Sequence, residues 1–249
     1  MIVSPFNPVF FLGNRKISDF DSPFVQLFSK CDQIFIQVVR AEGEPQTLCS
    51  VCNAEDGSAV TSLVCETHVF GNSYVDCYTL PVLPCGLYCV LLGENESEPF
   101  KITDDEHVLS KTVLIEYSPS DNAGRTDVIG LIDGEKKYFS FRVPGGFKDE
   151  GWEFSVDNEQ FVTQYSDIVE LYGRESTQKT LTVGTSCGVP IWYGQLLNRL
   201  LTCRYVYIDG KRYARFGSSV PEKAQTMPGM NSFVFTQKLQ QVNYIDPEK

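Results

Sequence analysis

The sequence has few of the residues on which most enzyme chemistry depends. Histidine occurs twice in 249 residues, at His68 and His107, so a catalytic Ser/His or Cys/His pair would have to use one of these two. The HExxH motif, the P-loop and the dinucleotide-binding fingerprint are absent from the sequence. Carboxylates are plentiful, and two of them suffice for a glycosidase. A glycoside hydrolase is therefore the third interpretation of the chain, behind two that involve no catalysis.

Positive charge and long apolar runs are also scarce. The chain carries 21 Lys and Arg against 32 Asp and Glu, a net charge of −11, which disfavours nucleic acid or an anionic membrane as the main partner. No run approaches the roughly 18 to 20 apolar residues that span a bilayer. The first residues lack a basic region before their short apolar run, and Pro5 and Pro8 interrupt it. We therefore expect no signal peptide.

Cysteine, in contrast, is abundant. The nine cysteines form an odd set without a secretion signal, which predicts free, mostly buried thiols in a reducing compartment. The spacing Cys49-x2-Cys52-x12-Cys65-x2-His68 resembles a four-ligand zinc site. Residues 64–70 have the pattern of a strand, however, on which Cys65 and His68 would face opposite sides. We therefore expect no metal or other cofactor, with zinc on these four residues as the alternative.

The first 103 residues have the pattern of an all-β unit. Short runs rich in β-branched residues recur between Gly-containing turns, beginning with 33–39. Gly86-Leu87-Tyr88 enters an apolar strand and is typical of a tyrosine corner, in which the hydroxyl bonds a nearby backbone group. We predict an immunoglobulin-like β-sandwich over residues 1–103, of which residues 1–23 form an N-terminal arm or a first edge strand. The acidic run 103–106 marks its boundary.

Residues 104–249 predict an α+β domain organised on one helix. Apolar residues recur on one helical face over 190–202, and Pro190 suits the first turn. A hairpin over 204–216 follows, with Asp209-Gly210 as its two-residue turn. Before the helix, the strand ending at Val143 is predicted to stop at Pro144-Gly145-Gly146. The helix is expected to lay its apolar stripe on a sheet.

The predicted hairpin also contains the candidate interface residues Tyr205, Tyr207 and Arg212. The two tyrosines share one face of the hairpin, and a two-residue turn places Tyr207 opposite Arg212. Tyr and Arg are favoured at interface hot spots, so an exposed face of this kind would suit a protein or sugar contact. The alternative is ordinary packing of the sheet.

Five segments of the second half of the chain carry a resemblance to known proteins: TVLIEYS (112–118), FRVPGGF (141–147), GVPIWYGQLLNRLL (188–201), VYIDGKRYAR (206–215) and VFTQKLQQVNYIDPE (234–248). Together they resemble uncharacterised virion proteins of tailed bacteriophages and of prophages of gut bacteria. The resemblance covers roughly residues 95–249 and, more loosely, the sandwich before them. It implies a structural component of the particle, of the tail or baseplate, with no catalytic residues to carry over.

The sequence therefore predicts a non-enzymatic assembly protein of a virion, assembled in the cytoplasm of a bacterial host. Its expected partners are other virion proteins and further copies of itself in a symmetric ring or stack. The contacts are expected to bury apolar and aromatic surface. Extended arms at both ends would suit strand addition between subunits. The alternative is a carbohydrate- or receptor-binding module, in which sandwich loops or the aromatic face hold a glycan.

Overall fold

The computed structural model describes residues 1–11, 24–119, 124–226 and 231–242. The chain is mainly β, as predicted, with 55% strand and 6% helix. The first ten strands, β1 to β10, are Ile2–Val3, Gln26–Ser29, Phe35–Ala41, Cys49–Asn53, Ala59–Ser62, Cys65–Phe70, Ser73–Thr79, Gly86–Leu92, Asn95–Glu96 and Phe100–Thr103.

A short helix, α1 (Glu106–Leu109), leads into the second set of strands. A longer helix, α2 (Ile191–Leu200), lies between β15 and β16. Strands β11 to β19 are Thr112–Ser118, Leu131–Ile132, Glu135–Lys136, Phe139–Val162, Ile168–Val183, Tyr205–Ile208, Lys211–Arg215, Glu222–Gln225 and Phe233–Gln241.

Two sheets from the first 103 residues pack on a common core. One has the order β1-β3-β7-β6, and the other has the order β2-β10-β8-β4-β5 with β9 beside β8. Ile36, Val38 and Tyr78 face this core from the first sheet, and Val51 and Val90 face it from the second. Strand alternation places these residues on inward faces because successive side chains point to opposite sides.

Strand β3 buries both of its faces, which joins the two parts of the chain. Ile36 and Val38 point into the core between the sheets, whereas Phe35 and Val39 point into a second core that contains residues beyond 104. Apolar residues on both faces of one strand are typical of a strand covered on both sides. The first sheet is therefore a middle layer shared by both parts of the chain.

Polar contacts also join the part of the chain before residue 104 to the part after it. The buried amide of Gln37 donates from Nε2 to the Ile129 carbonyl at 2.8 Å and accepts the Ile129 N–H at Oε1 at 3.0 Å. Arg142 makes two hydrogen bonds to the buried Asp32 carboxylate, at 2.6 and 2.7 Å. Because a buried charge is costly unless paired, the Arg142–Asp32 pair holds the two parts in one relative position.

The second part of the chain is a closed barrel. Strands β11, β16, β17, β19, β15 and β14 pair in that order, and β14 returns to β11, while β18 extends one edge of β19. Val206 and Ile208 point inward with Phe139 and Phe141, and the core also contains the apolar face of α2. Closure pairs the backbone N–H and C=O groups that the edge strands of an open sheet would leave exposed.

Helix α2 and the hairpin after it confirm the local predictions. The helix was predicted over 190–202 and spans Ile191–Leu200, with Pro190 as its N-cap. The hairpin predicted over 204–216 consists of β16 and β17, and Asp209 and Gly210 both have the positive φ of its turn. Gly194 allows a close approach to the sheet, because a Cβ there would overlap the Phe235 ring.

Of the two forms predicted for the N-terminal segment, the first eleven residues take that of an edge strand: β1 pairs with β3 at the edge of the first sheet, and Phe6 is fully buried in the second core. Residues 12–23 of that prediction lie outside the described residues. One prediction about strand ends is wrong. Pro144-Gly145-Gly146 does not end a strand, because β14 runs through it to Val162. Pro144 pairs with Thr112 at the very start of β11, so the ladder with β11 ends there and the strand continues on β15 alone.

Candidate functional site: a projecting hairpin

The most distinctive surface of the molecule is the outer part of the β14–β15 hairpin. Beyond Trp152 on β14 and before Gln178 on β15, these two strands pair with each other, and no other described strand pairs with them. We call residues 152–178 the hairpin arm. With a rise of about 3.4 Å per residue, the ten steps from Trp152 to Val162 extend the arm by about 34 Å.

The two strands of the hairpin arm are joined by their own backbone hydrogen bonds. Its register runs from Trp152↔Lys179 to Val162↔Ile168, with one irregularity between Glu159 and Gln160. The Thr163 N–H donates to the Asp167 carbonyl at 2.8 Å, which closes the turn. A bulge of this kind bends and twists a hairpin locally, so the tip is rotated relative to the base.

Apolar side chains cover this arm without being covered themselves. Of 19 exposed large hydrophobic residues in the described chain, ten lie within it, and such residues are otherwise scattered singly on soluble proteins. Their exposed fractions range from 41% to 85%. These residues are Trp152, Phe154, Val156, Phe161, Val162, Tyr165, Ile168, Val169, Leu171 and Tyr172.

The base of the hairpin arm has one apolar and one polar face. Trp152, Phe154 and Val156 alternate along β14 and share one face, and the rings of Trp152 and Phe154 lie 6.3 Å apart. The opposite face carries the hydrogen-bonded hydroxyls of Ser155 and Ser176. Beyond the irregularity, apolar residues occupy both faces. The arm therefore presents an apolar strip that widens toward its tip.

The hairpin arm is also strongly acidic. Residues 152–178 contain six carboxylates and one arginine, a net charge of −5 out of −11 for the whole chain. The six are Glu153, Asp157, Glu159, Asp167, Glu170 and Glu175. A partner for this surface must therefore offer apolar contacts together with positive charge.

A buried lysine connects the arm to the barrel. The Lys179 ammonium lies 3.6 Å from the centroid of the Trp152 ring, within cation–π distance, and 3.4 Å from the Tyr213 hydroxyl. Burial, and then the nearby charge of Lys211, hold the pKa of Lys179 below its ordinary value. The contact fixes the direction in which the arm leaves the body.

The predicted interface residues lie elsewhere, on the outer face of β16 and β17. Tyr207 pairs with Arg212 as predicted, but Tyr205 and Tyr207 are 7% and 3% exposed. Three cations cover Tyr205: the Arg212 and Arg204 guanidinium carbons lie 4.5 and 5.7 Å from its ring centroid, and the Lys136 nitrogen 4.6 Å. We call these four residues the Tyr205 cluster. The tyrosine ring of this cluster therefore lies beneath the three cations.

The four residues with zinc-ligand spacing do not converge. Cys49 and Cys52 lie on β4 of one sheet, and Cys65 and His68 on β6 of the other. Cys49 and Cys65 face the core between the sheets, whereas Cys52 and His68 have the opposite strand parity. In the part of the chain that the structure describes, no three His, Cys, Asp or Glu side chains are placed to hold a metal. Burial raises the pKa of Cys49 to about 12, with a smaller contribution from Cys65.

Residues 184–188, Gly-Thr-Ser-Cys-Gly, match the GxSxG pattern of hydrolase nucleophile elbows and follow a strand. In a nucleophile elbow the serine lies in the tight turn between the strand and the helix. Here helix α2 begins five residues after Ser186, so Ser186 does not occupy that position. Ser186 lines an open cavity of about 520 Å³ whose described lining contains no His, Asp or Glu. His107 instead contacts Lys111, with its Nε2 2.9 Å from the lysine nitrogen. The motif therefore has no base beside its serine in the described chain.

Two further cavities do not supply a carboxylate pair. One of about 380 Å³ lies between the first residues and α2, and Trp192 and Arg199 are among its described lining residues, none of which is acidic. The other, of about 850 Å³, is wide open and has Asp127 as the carboxylate in its described lining. A glycosidase needs two carboxyl groups flanking one bond. These cavities therefore give the hydrolase interpretation no site.

Comparison with known proteins adds no functional assignment. The chain matches no protein-family model and no curated protein sequence. No helix in the described ranges is long and apolar enough to cross a membrane. The interpretation of function therefore depends on the surfaces of this molecule.

The sequence contained a signal for the arm that its interpretation missed. Trp152, Phe154 and Val156 alternate with polar residues as in a half-buried strand, and residues 168–172 are a second apolar run. Periodicity identifies strands but does not tell whether anything covers their apolar face. The exposure of the arm is a property of the fold, because the pairing of β14 with β11 stops at Thr112, the first residue of β11. Beyond that point β15 is the one described strand that pairs with β14.

Proposed function

We propose that this chain is a structural assembly protein that joins other subunits, including further copies of itself, through its hairpin arm. The observation that carries the proposal is the exposed apolar surface of the arm. The five aromatic residues of the arm together expose about three whole side chains, or about 600 Å² at roughly 150 to 250 Å² each, and five exposed Val, Ile and Leu side chains add to this area. A standard protein interface buries about 800 Å² on each partner, so the arm alone is large enough for one.

The backbone of the arm supports the same role. Both outer edges of the arm carry a row of N–H and C=O groups, and a long apolar edge is a template for pairing with another chain. Proteins that remain monomeric protect such edges with short strands, proline or covering loops. The arm is long and two-stranded, and its apolar side chains are exposed. A partner could therefore pair with its edges and cover its apolar face.

The setting we propose, a component of a phage tail or baseplate assembled in the host cytoplasm, rests on the sequence resemblance. Two features suit it. All nine cysteines of the chain are free thiols, as expected of a protein that folds in a reducing compartment. The shared core fixes the two parts of the chain in one relative position, which a repeated structural subunit requires.

We also propose that residues 1–103 form an immunoglobulin-like sandwich. The Tyr88 hydroxyl donates to the Pro84 carbonyl at 3.1 Å, which is the type of contact that a tyrosine corner makes. The two sheets that pack on Val51 and Val90 support the same assignment. This unit would supply the body on which the arm is mounted.

The test of the assembly role compares two valines with the same exposure. Val156 on the arm and Val220 outside it are each 59% exposed. We expect Val156→Ser, and more strongly Phe154→Ser, to weaken self-association by about tenfold or more, since a hot spot contributes about 2 kcal/mol. Val220→Ser should leave it unchanged. Sedimentation velocity over a wide concentration range measures the effect.

Two results would contradict the proposal. The wild-type chain could remain monomeric at every concentration, or the arm and control variants could associate equally well. Urea unfolding of each variant serves as the control for folding, because a substitution at an exposed strand position is expected to change the free energy of unfolding by less than about 1 kcal/mol.

A further inference from the structure

We propose that the cavity of about 380 Å³ between the first residues and helix α2 binds the end of a neutral glycan. The site lies in the body of the protein and uses no residue of the hairpin arm, so it is independent of the assembly role. Its described lining comes from residues 3–11, from Asn95 on β9 and from α2. Ligand pockets of about 300 to 1,000 Å³ are common where two parts of a protein meet. This cavity is at the small end of that range, with room for about one or two sugar rings.

Hydrogen bonds within the chain hold the walls of the cavity in place. The Asn7 side chain donates to the Gln37 carbonyl at 3.0 Å and accepts the Gln37 N–H at 2.8 Å. Arg199 donates from Nη1 to the Pro5 carbonyl at 2.9 Å, which ties α2 to the first residues. Walls that are already ordered reduce the entropy that binding costs. The cavity is therefore formed before a ligand enters it.

Two amide side chains of the lining remain for a ligand. Asn95 is half-buried and Gln195 is exposed, and neither side chain makes a hydrogen bond within the described part of the chain. An amide offers both donors and an acceptor, and a sugar hydroxyl needs both because it donates and accepts. The Arg199 guanidinium has five N–H donors, and its contact with Pro5 uses one of them. The polar part of the lining therefore suits a ligand with many hydroxyl groups.

Aromatic rings form the rest of the site. Phe10 and Trp192 both line the cavity and stack on each other, with ring centroids 5.1 Å apart, so they make one continuous wall. Phe11 is partly buried against the sandwich core and also lines the cavity. A pocket that combines aromatic rings with a few polar groups fixes both the position and the orientation of its ligand. A sugar ring matches this combination, because its C–H face packs on an aromatic ring while its hydroxyls reach the amides.

Charge favours a neutral ligand over a charged one. Arg199 is the one charged residue in the described lining, so it repels a cation. Around the lining, four carboxylates outnumber two arginines, so an anion is repelled as well. The arginines are Arg199 and Arg125, which lie 6.0 and 4.3 Å from the centroid of the Phe6 ring. The carboxylates are Glu94 and Glu96 on either side of Asn95, Glu98, which accepts from Trp192 Nε1 at 3.3 Å, and Asp127, whose Oδ1 lies 3.3 Å from Arg125 Nε.

Binding of simple glycosides to the intact protein tests the site. The probes are methyl glucoside and methyl galactoside, each paired with the uronic acid that differs from it by one carboxylate. We expect saturation-transfer NMR and calorimetry to show millimolar binding of at least one methyl glycoside. Its uronic acid should bind more weakly, because the carboxylate adds repulsion. Failure of both methyl glycosides to bind, or tighter binding of the uronic acids, would overturn the inference.

Two substitutions at one position locate the bound sugar. Gln195→Ala removes a hydrogen-bonding amide and should weaken binding by about fivefold, and Gln195→Trp should abolish it by filling the cavity. Asn198→Ala is the matched control, because it truncates another exposed amide of α2 that lies outside the described lining and accepts from Arg215. Equal binding by Gln195→Trp and Asn198→Ala would place the sugar elsewhere and contradict the inference.

The outcomes separate this inference from the assembly role. Both Gln195 variants should self-associate like the wild type, whereas Phe154→Ser should bind glycosides like the wild type. Loss of glycoside binding with normal self-association therefore reports on the cavity, and the reverse reports on the arm. Urea midpoints equal to that of the wild type confirm that each variant is folded.

Discussion

Strand β14 passes through two environments, one covered by the body of the protein and one uncovered in the hairpin arm, and the proposed function rests on the contrast between them. Over 139–144 it pairs with β11 on one side, and the Phe141 ring lies 4.9 Å from that of Tyr193 on α2. Over 152–162 it has the same alternation of apolar residues, but Phe154 is 78% exposed. Apolar and polar residues alternate in both stretches of the strand, but only the first stretch has other elements packed over its apolar face. Under the proposed assembly role, this uncovered apolar face is the one on which another chain packs.

The largest expected effect tests this contrast directly. Phe141→Ala should lower the free energy of unfolding by about 3 to 5 kcal/mol, because it leaves a cavity in a fully packed core. Phe154→Ala, on the same strand, should change it by less than about 0.5 kcal/mol. Urea unfolding at a concentration at which the protein is monomeric gives both values. Equal losses would mean that the arm is packed against the body of its own chain.

A smaller effect tests whether the body is one unit. Gln37→Leu leaves the buried N–H and C=O of Ile129 without partners and should cost about 2 to 3 kcal/mol. Gln46→Leu, which removes an exposed amide bonded to Thr67, should cost less than about 0.5 kcal/mol. Fluorescence and circular dichroism should report one coincident transition for both variants. Two separated transitions would show that the parts before and after residue 103 unfold independently.

How far the sequence predicted this fold depended on the range of the contacts involved. Helix α2 and the hairpin turn at Asp209-Gly210 were predicted within two residues, because their signals are local: an apolar stripe, Pro190 at the start, and two residues that tolerate positive φ. The continuation of β14 past Pro144 was missed, because whether a proline ends a strand depends on whether a neighbour needs its N–H. Closure of the barrel and the sharing of β3 between two cores depend on pairings distant in sequence.

For the candidate surfaces, the sequence predicted the pairing of residues but not their exposure. Residues Tyr205, Tyr207 and Arg212 were identified from alternation, and their register is as predicted. Their burial was not predictable, because the cations that cover Tyr205 come from β13 and β17 as well as from the loop before β16. The hairpin arm was missed altogether, since apolar strand residues are normally assigned to a core.

The smallest expected effect concerns the junction between arm and body. Because burial lowers the pKa of Lys179 in the folded chain, the unfolded chain binds the proton more tightly, and stability gains as pH rises toward the ordinary lysine value of about 10.4. The difference in the free energy of unfolding between the wild type and Lys179→Met should therefore change in favour of the wild type as the pH rises toward that ordinary value. A difference independent of pH would show that Lys179 is solvated.

The central claim is that the body is complete in one chain and the hairpin arm is completed by another. Hydrogen–deuterium exchange measured at increasing protein concentration tests it most directly. We expect peptides from 152–178 to become protected as concentration rises, because the outer edges of the arm acquire partners, while peptides from 139–147 remain equally protected throughout. Exchange of the arm that does not depend on concentration, in a protein that sedimentation shows to associate, would contradict the account.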